Sequence, residues 1–278
     1  MADSARIEFL EAEAWRRRLE ALPAELQKRL GTRTRSFGRA VALATPGADV
    51  AAVNRAVGFG LERALDASLL AEVNAFYRET GVPRWLVECS PEATISGGRQ
   101  TLTDHGGMVR TPTVKFVGEL ERITVEPRAD AISVAEVDRD AADIFRDVVG
   151  DAYGMPELVK ADLVSTLGHA DWHYYMAFDD GRPIAGAAMF VQGDGAWVGV
   201  AGTSPDARNR GAQTALLERR LTDAKRLGCS WMTAETWPDT AELPNPSYRN
   251  MLRLGLRVAY LREKYLFEHP ESRIAPAS

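Results

Sequence analysis

The chain is poor in the residues that make metal sites and disulfide frameworks. Its 278 residues include two cysteines, Cys89 and Cys229, and four histidines, His105, His169, His173 and His269. Both cysteines lie in or beside apolar runs, and neither Cys-x-x-Cys nor His-Glu-x-x-His occurs. Two small buried residues are therefore expected, and no metal centre. No apolar run is long enough to span a bilayer. The opening Met1-Ala2-Asp3-Ser4 lacks the cationic patch and apolar core of a leader, so a cytoplasmic location without membrane partners is expected. Positive charge is also short: 34 Lys and Arg against 39 Asp and Glu leave a formal charge of −5, which argues against nucleic acid as the main partner. Walker loops and the Gly-x-Gly-x-x-Gly dinucleotide fingerprint are missing too.

What is present is a hydrophobic content of 45%, ample for one large domain or two. Trp15, Leu19, Leu22, Leu26 and Leu30 recur at helical spacing, and Pro23 marks a bend into a second, shorter helix. Strands are expected at 41–44, 51–61, 85–89 and 114–117, with helices at 66–80 and 95–105 between them. The charged segment around Pro127 reads as a boundary. Beyond it a strand at 132–137 precedes helices at 139–149 and 156–167. Three strands follow, at 172–178, 183–190 and 196–202, separated by the hairpin signals Asp179-Asp180-Gly181-Arg182 and Gly193-Asp194-Gly195. A helix from about 211 to 227, a strand at 230–235, a helix at 247–254 and a strand at 258–267 complete the chain. The order of strands and helices in 53–117 recurs in 196–267, which points to a tandem duplication.

The most informative stretch runs from Thr203 to Leu217 and joins an apolar strand to an amphipathic helix. Leu217, Leu221, Ala224 and Leu227 form its apolar face. Pro205 and Gly211 punctuate the turn, which leaves the first amides of a helix unpaired and able to bind an anion. Arg208 and Arg210 add full positive charges, and Gly211 and Ala212 permit close approach to the backbone. In the other repeat, Val57-Gly58-Phe59-Gly60-Leu61-Glu62 runs into Arg63 and Asp66. Its acidic residues would repel a pyrophosphate.

The ordered run Pro-x-x-Arg-x-x-Gly-x-x-x-x-Leu-Leu resembles the acyl-CoA pyrophosphate loop of the GNAT superfamily of N-acyltransferases. The resemblance rests on Arg208, Asn209, Arg210, Gly211 and Ala212 and extends more weakly over 131–268. Gln213 stands where that pattern has Gly or Ala. The resemblance implies an α/β fold of tandem GNAT type, with mixed, mostly antiparallel sheets flanked by helices. Its expected parts are N-terminal helices at 1–35, a degenerate half at 36–127 and an acyl-CoA-binding acetyltransferase domain at 128–278. It also implies acetyl-CoA as co-substrate, held by Arg208, Asn209, Arg210, Gly211, Ala212, Gln213 and Thr214 at the phosphates. Main-chain amides of Ala201, Gly202 and Thr203 would meet the thioester, and Asn245 and Ser247 the pantetheine arm.

Direct transfer from a thioester to an amine needs a base for the amine and an acid for the thiolate, with no covalent nucleophile. Glu235, ending an apolar strand, is the candidate base. A solvent-facing strand end is the plainer alternative. His173 and His169 are competing bases. Relatives place an acid Tyr four residues before a Gly-Phe pair; here that pair is Gly255-Leu256 and the position holds Met251. Tyr248, one turn away on the same helix, is the candidate acid, with Tyr260, Tyr265 or solvent as substitutes. An acidic protein fits a small cationic amine as acceptor. A catalytically silent CoA-binding module and a protein-lysine acetyltransferase remain alternatives. A homo-oligomer is left open, since exposed faces of duplicated sheets often pair.

Overall fold

The computed structural model describes residues 4–48, 50–95, 97–125 and 132–269. They form two compact units, one of Met1–Thr113 with Tyr260–Ser278 and the other of Val114–Ala259.

In the first unit, α1 (Ser4–Glu20) and α2 (Ala24–Leu30) are separated at Pro23, and α2 ends on Gly31 in the left-handed region. The elements that follow are β1 (Arg33–Phe37), β2 (Ala40–Ala44), β3 (Arg55–Val57), α3 (Ala67–Thr80), β4 (Arg84–Cys89), α4 (Pro91–Ile95), α5 (Gly98–Asp104) and β5 (Met108–Glu119). Further along the chain come β6 (Ile132–Val137), α6 (Ala142–Tyr153), α7 (Glu157–Lys160), β7 (Trp172–Asp179), β8 (Arg182–Gln192), β9 (Gly195–Thr203), α8 (Ala212–Arg226), β10 (Trp231–Thr236), α9 (Pro246–Arg253) and β11 (Arg257–Glu268).

Strand order is β1-β2-β3-β4-β11 in the first unit and β5-β10-β9-β8-β7-β6 in the second. β3 with β4 and β9 with β10 are parallel; the other pairs within each unit are antiparallel. Each repeat gives its last strand to the other unit. Residues 114–119 of β5 pair with β10, from Trp231↔Glu119 to Thr236↔Val114. Residues 263–268 of β11 pair with β4, from Glu263↔Cys89 to Glu268↔Arg84. The exchanged strands carry related sequences, Val114-Lys115-Phe116-Val117-Gly118-Glu119 and Glu263-Lys264-Tyr265-Leu266-Phe267-Glu268. The boundary expected between 127 and 128 lies outside the described residues.

Several expected elements differ in extent for local reasons. The expected strand over 51–61 is reduced to β3, because Ala51–Val53 is a 3-10 turn and Gly58 and Gly60 take positive φ just after it. The expected helix at 95–105 shortens to α5, which starts after Gly97 at φ +88, and a separate helix, α4, precedes it. The helix expected at 156–167 shortens to α7 and a 3-10 turn, Ala161–Val164. β1 has the sequence Arg33-Thr34-Arg35-Ser36-Phe37, which carries no alternating apolar signal; pairing with β2 makes it a strand.

The second unit's core joins Phe116 of β5 and Val198 of β9 to Leu216, Leu217, Leu221 and Ala224 of α8 and Met251 of α9. Leu227, expected on the apolar face of α8, caps its C-terminus and is exposed. Among the described residues no helix is long and apolar enough to cross a membrane.

Candidate active site

A fork opens between β9 and β10. Their parallel ladder runs from Trp231↔Gly195 to Ala234↔Val198 and stops there, although β9 continues to Thr203 and β10 to Thr236. The cause lies on the other edge of β9. Its register with β8 steps from Ala188↔Gly199 to Gly186↔Gly202, so β9 carries one extra residue. Val200 takes φ +50 at this bulge, a conformation that β-branched residues rarely adopt. The extra residue bends β9 away from β10 and leaves Gly199 to Thr203 paired on one edge only. Ala201, Gly202 and Thr203, the expected thioester residues, lie on that segment. The carbonyl of Ala201 accepts a hydrogen bond of 2.8 Å from the Tyr153 hydroxyl at the end of α6. Nothing local to Tyr153 in the sequence announced this contact.

Beyond Thr203 the chain makes one 3-10 turn, Pro205–Ala207, and enters α8 through Asn209 at φ +64 and Gly211 at φ +91. Gly211 is the N-cap residue, and no side chain caps the helix. A Cβ built on Gly211 would meet nothing within 4 Å, so the approach to these amides is open. Glycine is needed there for its φ. Arg208 is exposed and has no ion-pair partner among the described residues. Arg210 instead pairs with Asp179 at 2.9 Å. The loop's own carboxylate, Asp206, is bound by Arg182, whose guanidinium holds it below the usual carboxylate range. Ala212 and Thr214 are buried, which leaves their backbone as the accessible part. Gln213 turns its side chain away from the loop: its Oε1 accepts from Asn250 Nδ2 of α9 at 2.6 Å.

The matching place in the first unit is closed. Asp66 caps α3, accepting from Leu69 N at 2.8 Å, and the Glu62 carboxylate accepts from Arg39 N at 2.8 Å. The Phe9 ring of α1 lies where a Cβ on Gly58 would point. At the end of β4, α1 supplies Glu8 and Glu11, which bind the fully buried Arg262. Arg262 also reaches Glu88 at 3.1 Å. The side-chain cap on α3 and the charged side chains at the end of β4 set this place apart from the start of α8.

Glu235 lies beside the fork, directly opposite Lys115 in the β10–β5 register, with Oε2 3.3 Å from Lys115 Nζ. Lys115 is fully buried and the Glu235 side chain 21% exposed. Side chains alternate between faces along a strand. Ala234 and Phe116 join the core with α8 and α9, so Glu235 and Lys115 occupy the opposite face. That is the face α6 covers, where its Val149 meets Gly202. Tyr248 sits on the α9 side, edge-on to the Phe116 ring at 5.1 Å. Glu235 and Tyr248 therefore lie on opposite faces of the sheet.

Met251, at the position where the resemblance leads one to expect an acid, is buried in the core. Tyr260 and Tyr265 belong to the first unit. Tyr260 donates to Glu8 Oε1 at 2.8 Å and Tyr265 to Glu263, and burial pushes both phenols up. Asn245 is the cap of α9: its Oδ1 accepts from the Ser247 and Tyr248 amides, and its Nδ2 donates to Thr236 Oγ1 and the Trp237 carbonyl. Ser247 is half-buried in the first turn of α9. His173 bonds Glu136 Oε1 at 2.8 Å on β6, and His169 is exposed in the turn before β7. Among the described residues no three His, Cys, Asp or Glu side chains converge to hold a metal.

Residues 142–252, which contain the bulge, the uncapped helix and Glu235, match the family described as the Acetyltransferase (GNAT) family. This part of the chain is a GNAT acetyltransferase domain. Solved structures share the fold along nearly the whole chain. A GCN5-related N-acetyltransferase from Kribbella flavida is 18% identical with a TM-score of 0.65, covering 97% of this chain and 96% of that one. A tandem GNAT protein from the clavulanic acid biosynthesis pathway is 14% identical with a TM-score of 0.57, covering 96% of both chains. A GCN5-related N-acetyltransferase from Sphaerobacter thermophilus is 15% identical with a TM-score of 0.59, covering 82% of this chain and 80% of that one. Comparison with curated proteins finds no significant match. The family uses acyl-CoA, and the GNAT domain fits it: the helix behind the loop is uncapped, the space before Gly211 is open, and Arg208 stands exposed beside it.

Proposed function

We propose that the protein is an N-acetyltransferase that moves an acetyl group from acetyl-CoA to a small-molecule amine by direct attack. The observation that carries this reading is the pairing of the β9–β10 fork with an uncapped helix at the end of the same strand. The diphosphate of the co-substrate would sit on the amides of Gly211 to Thr214, with the exposed Arg208, which has no ion-pair partner among the described residues, as a cation on the same loop. Acyl-CoA supplies the thioester. Amides of the β9 segment from Ala201 to Thr203 hold its carbonyl within the fork. Glu235 takes the proton from the attacking amine on the α6 face as the N–C bond forms. Tyr248 returns a proton to the departing sulfur on the α9 face as the C–S bond breaks. The amine acceptor is assigned on net charge, which disfavours polyanions.

The second reading, a silent acyl-CoA-binding module, is favoured by Met251 in the core and by Glu235 being ion-paired. Thiol release from acetyl-CoA across a panel of amines separates the two. The enzyme reading expects turnover whose kcat falls at least roughly 100-fold in Glu235→Gln. Binding of acetyl-CoA without turnover on any amine, or on a lysine peptide, supports the silent module.

A further inference from the structure

We infer that Lys115 is a positioning residue that holds the Glu235 carboxylate at the mouth of the fork. This rests on the reading of Glu235 as the base. Lys115 lies on β5, the strand contributed by the other repeat, and no motif of the family match includes it. Three observations carry the inference. First, the two residues are direct cross-strand partners, with nitrogen and oxygen 3.3 Å apart. Second, Lys115 is fully buried while Glu235 keeps contact with solvent at the place where the β9–β10 ladder has ended. A buried ammonium gives one end of the pair a fixed position, and the carboxylate that meets it is held rather than free to swing.

Third, the arrangement is built twice. In the first unit Glu88 of β4 stands directly opposite Lys264 of β11, with Oε1 3.4 Å from Nζ. There the carboxylate is fully buried and also bound by Arg262 and Arg55, and the neighbouring α3 is capped by Asp66. The unit with the closed helix end has its carboxylate locked in a network. The unit with the open helix end has the same carboxylate tethered beside an open fork. One strand exchange thus supplies a lysine to each carboxylate, and only the Glu235 site can receive a substrate.

The test is a kinetic double-mutant cycle on the full chain with Lys115→Met, Glu235→Gln and the double variant, using the best amine from the thiol-release panel. A positioning role predicts that Lys115→Met lowers kcat roughly tenfold or more with KM for acetyl-CoA changed less than twofold. In the Glu235→Gln background the same substitution should change kcat less than twofold, because Lys115 serves the reaction through the Glu235 carboxylate. An equal loss in both backgrounds, or no loss in the wild-type background, overturns the inference while leaving the base reading intact. A Glu235→Gln variant with full kcat removes the base reading instead. If Lys115→Met alone does not fold, the double variant, which removes both charges together, is compared with Glu235→Gln; a change beyond twofold overturns the proposal. A readout free of turnover completes the test. In protein labelled at glutamate Cδ, the Glu235 resonance, identified by its loss in Glu235→Gln, should sharpen to one environment in wild type and broaden or split in Lys115→Met. An unchanged resonance contradicts the tether.

Discussion

Asp66 accepts a hydrogen bond from Leu69 N at 2.8 Å at the start of α3, whereas α8 begins at Gly211 with no side chain in that role. The two helices follow equivalent parallel strands in their repeats, so the proposed anion seat belongs to α8 and not to α3. Calorimetry should find one acetyl-CoA per chain. Asp66→Ala should cost about 1 kcal/mol of stability through the lost cap and leave the stoichiometry at one. A second binding event in the wild-type protein would contradict the account.

Gln213 replaces a residue that is usually minimal, and its bond to Asn250 explains how it is accommodated. Gln213→Ala should keep acetyl-CoA affinity within about threefold, since the backbone amide is unchanged. It should lower kcat more than affinity, because α9 carries Tyr248 and loses its tie to α8. Isothermal titration and steady-state kinetics on the same variant check both halves.

Arg262 is fully buried among Glu8, Glu11 and Glu88. Arg262→Met leaves these carboxylates without their central partner and should destabilise the protein by about 3–5 kcal/mol. Chemical denaturation measures it. A loss under about 1 kcal/mol would mean that the network relaxes without cost.

Asp239 anchors the start of α9, accepting from Arg249 and from the Asn245 amide, and these bonds hold its carboxyl below the usual range. A carboxyl lowered in the folded state contributes stability above its unfolded value near 3.9 and loses it as pH falls through the lower native value. The amides of Asn245 and of residues 247–253 should therefore lose hydrogen-exchange protection below about pH 4, after correction for intrinsic rates. Asp239→Asn should show that reduced protection already at pH 7.

Much of the fold was legible because its signals are local. Asp179-Asp180-Gly181-Arg182 and Gly193-Asp194-Gly195 mark the turns between β7, β8 and β9, and the strand–loop–helix order around Gly211 is written in consecutive residues. The strand exchange was not legible, since the partner of β10 is chosen by pairing across more than a hundred residues rather than by any pattern in β5. Pairing over such a distance also hid Lys115 from Glu235, and shorter but still non-local separations of 37 and 48 residues hid Asn250 from Gln213 and Tyr153 from Ala201. Tyr248, Tyr260 and Tyr265 look alike in sequence as acids. They fall in different units: Tyr260 and Tyr265 lie in the first with the end of β11, and Tyr248 lies in the second, which contains β9 and β10. β1 was missed because a polar edge strand carries no periodic apolar signal.

The central claim is that an anion seats on the uncapped amides of α8, and Gly211→Asp tests it most directly. The substitution gives α8 a carboxylate of the kind Asp66 gives α3. Gly211→Ala serves as the control for backbone strain at φ +91. The account predicts that acetyl-CoA affinity, measured by calorimetry, falls at least about tenfold further in Gly211→Asp than in Gly211→Ala, a difference of about 1.4 kcal/mol. Equal affinity in the two variants would contradict it.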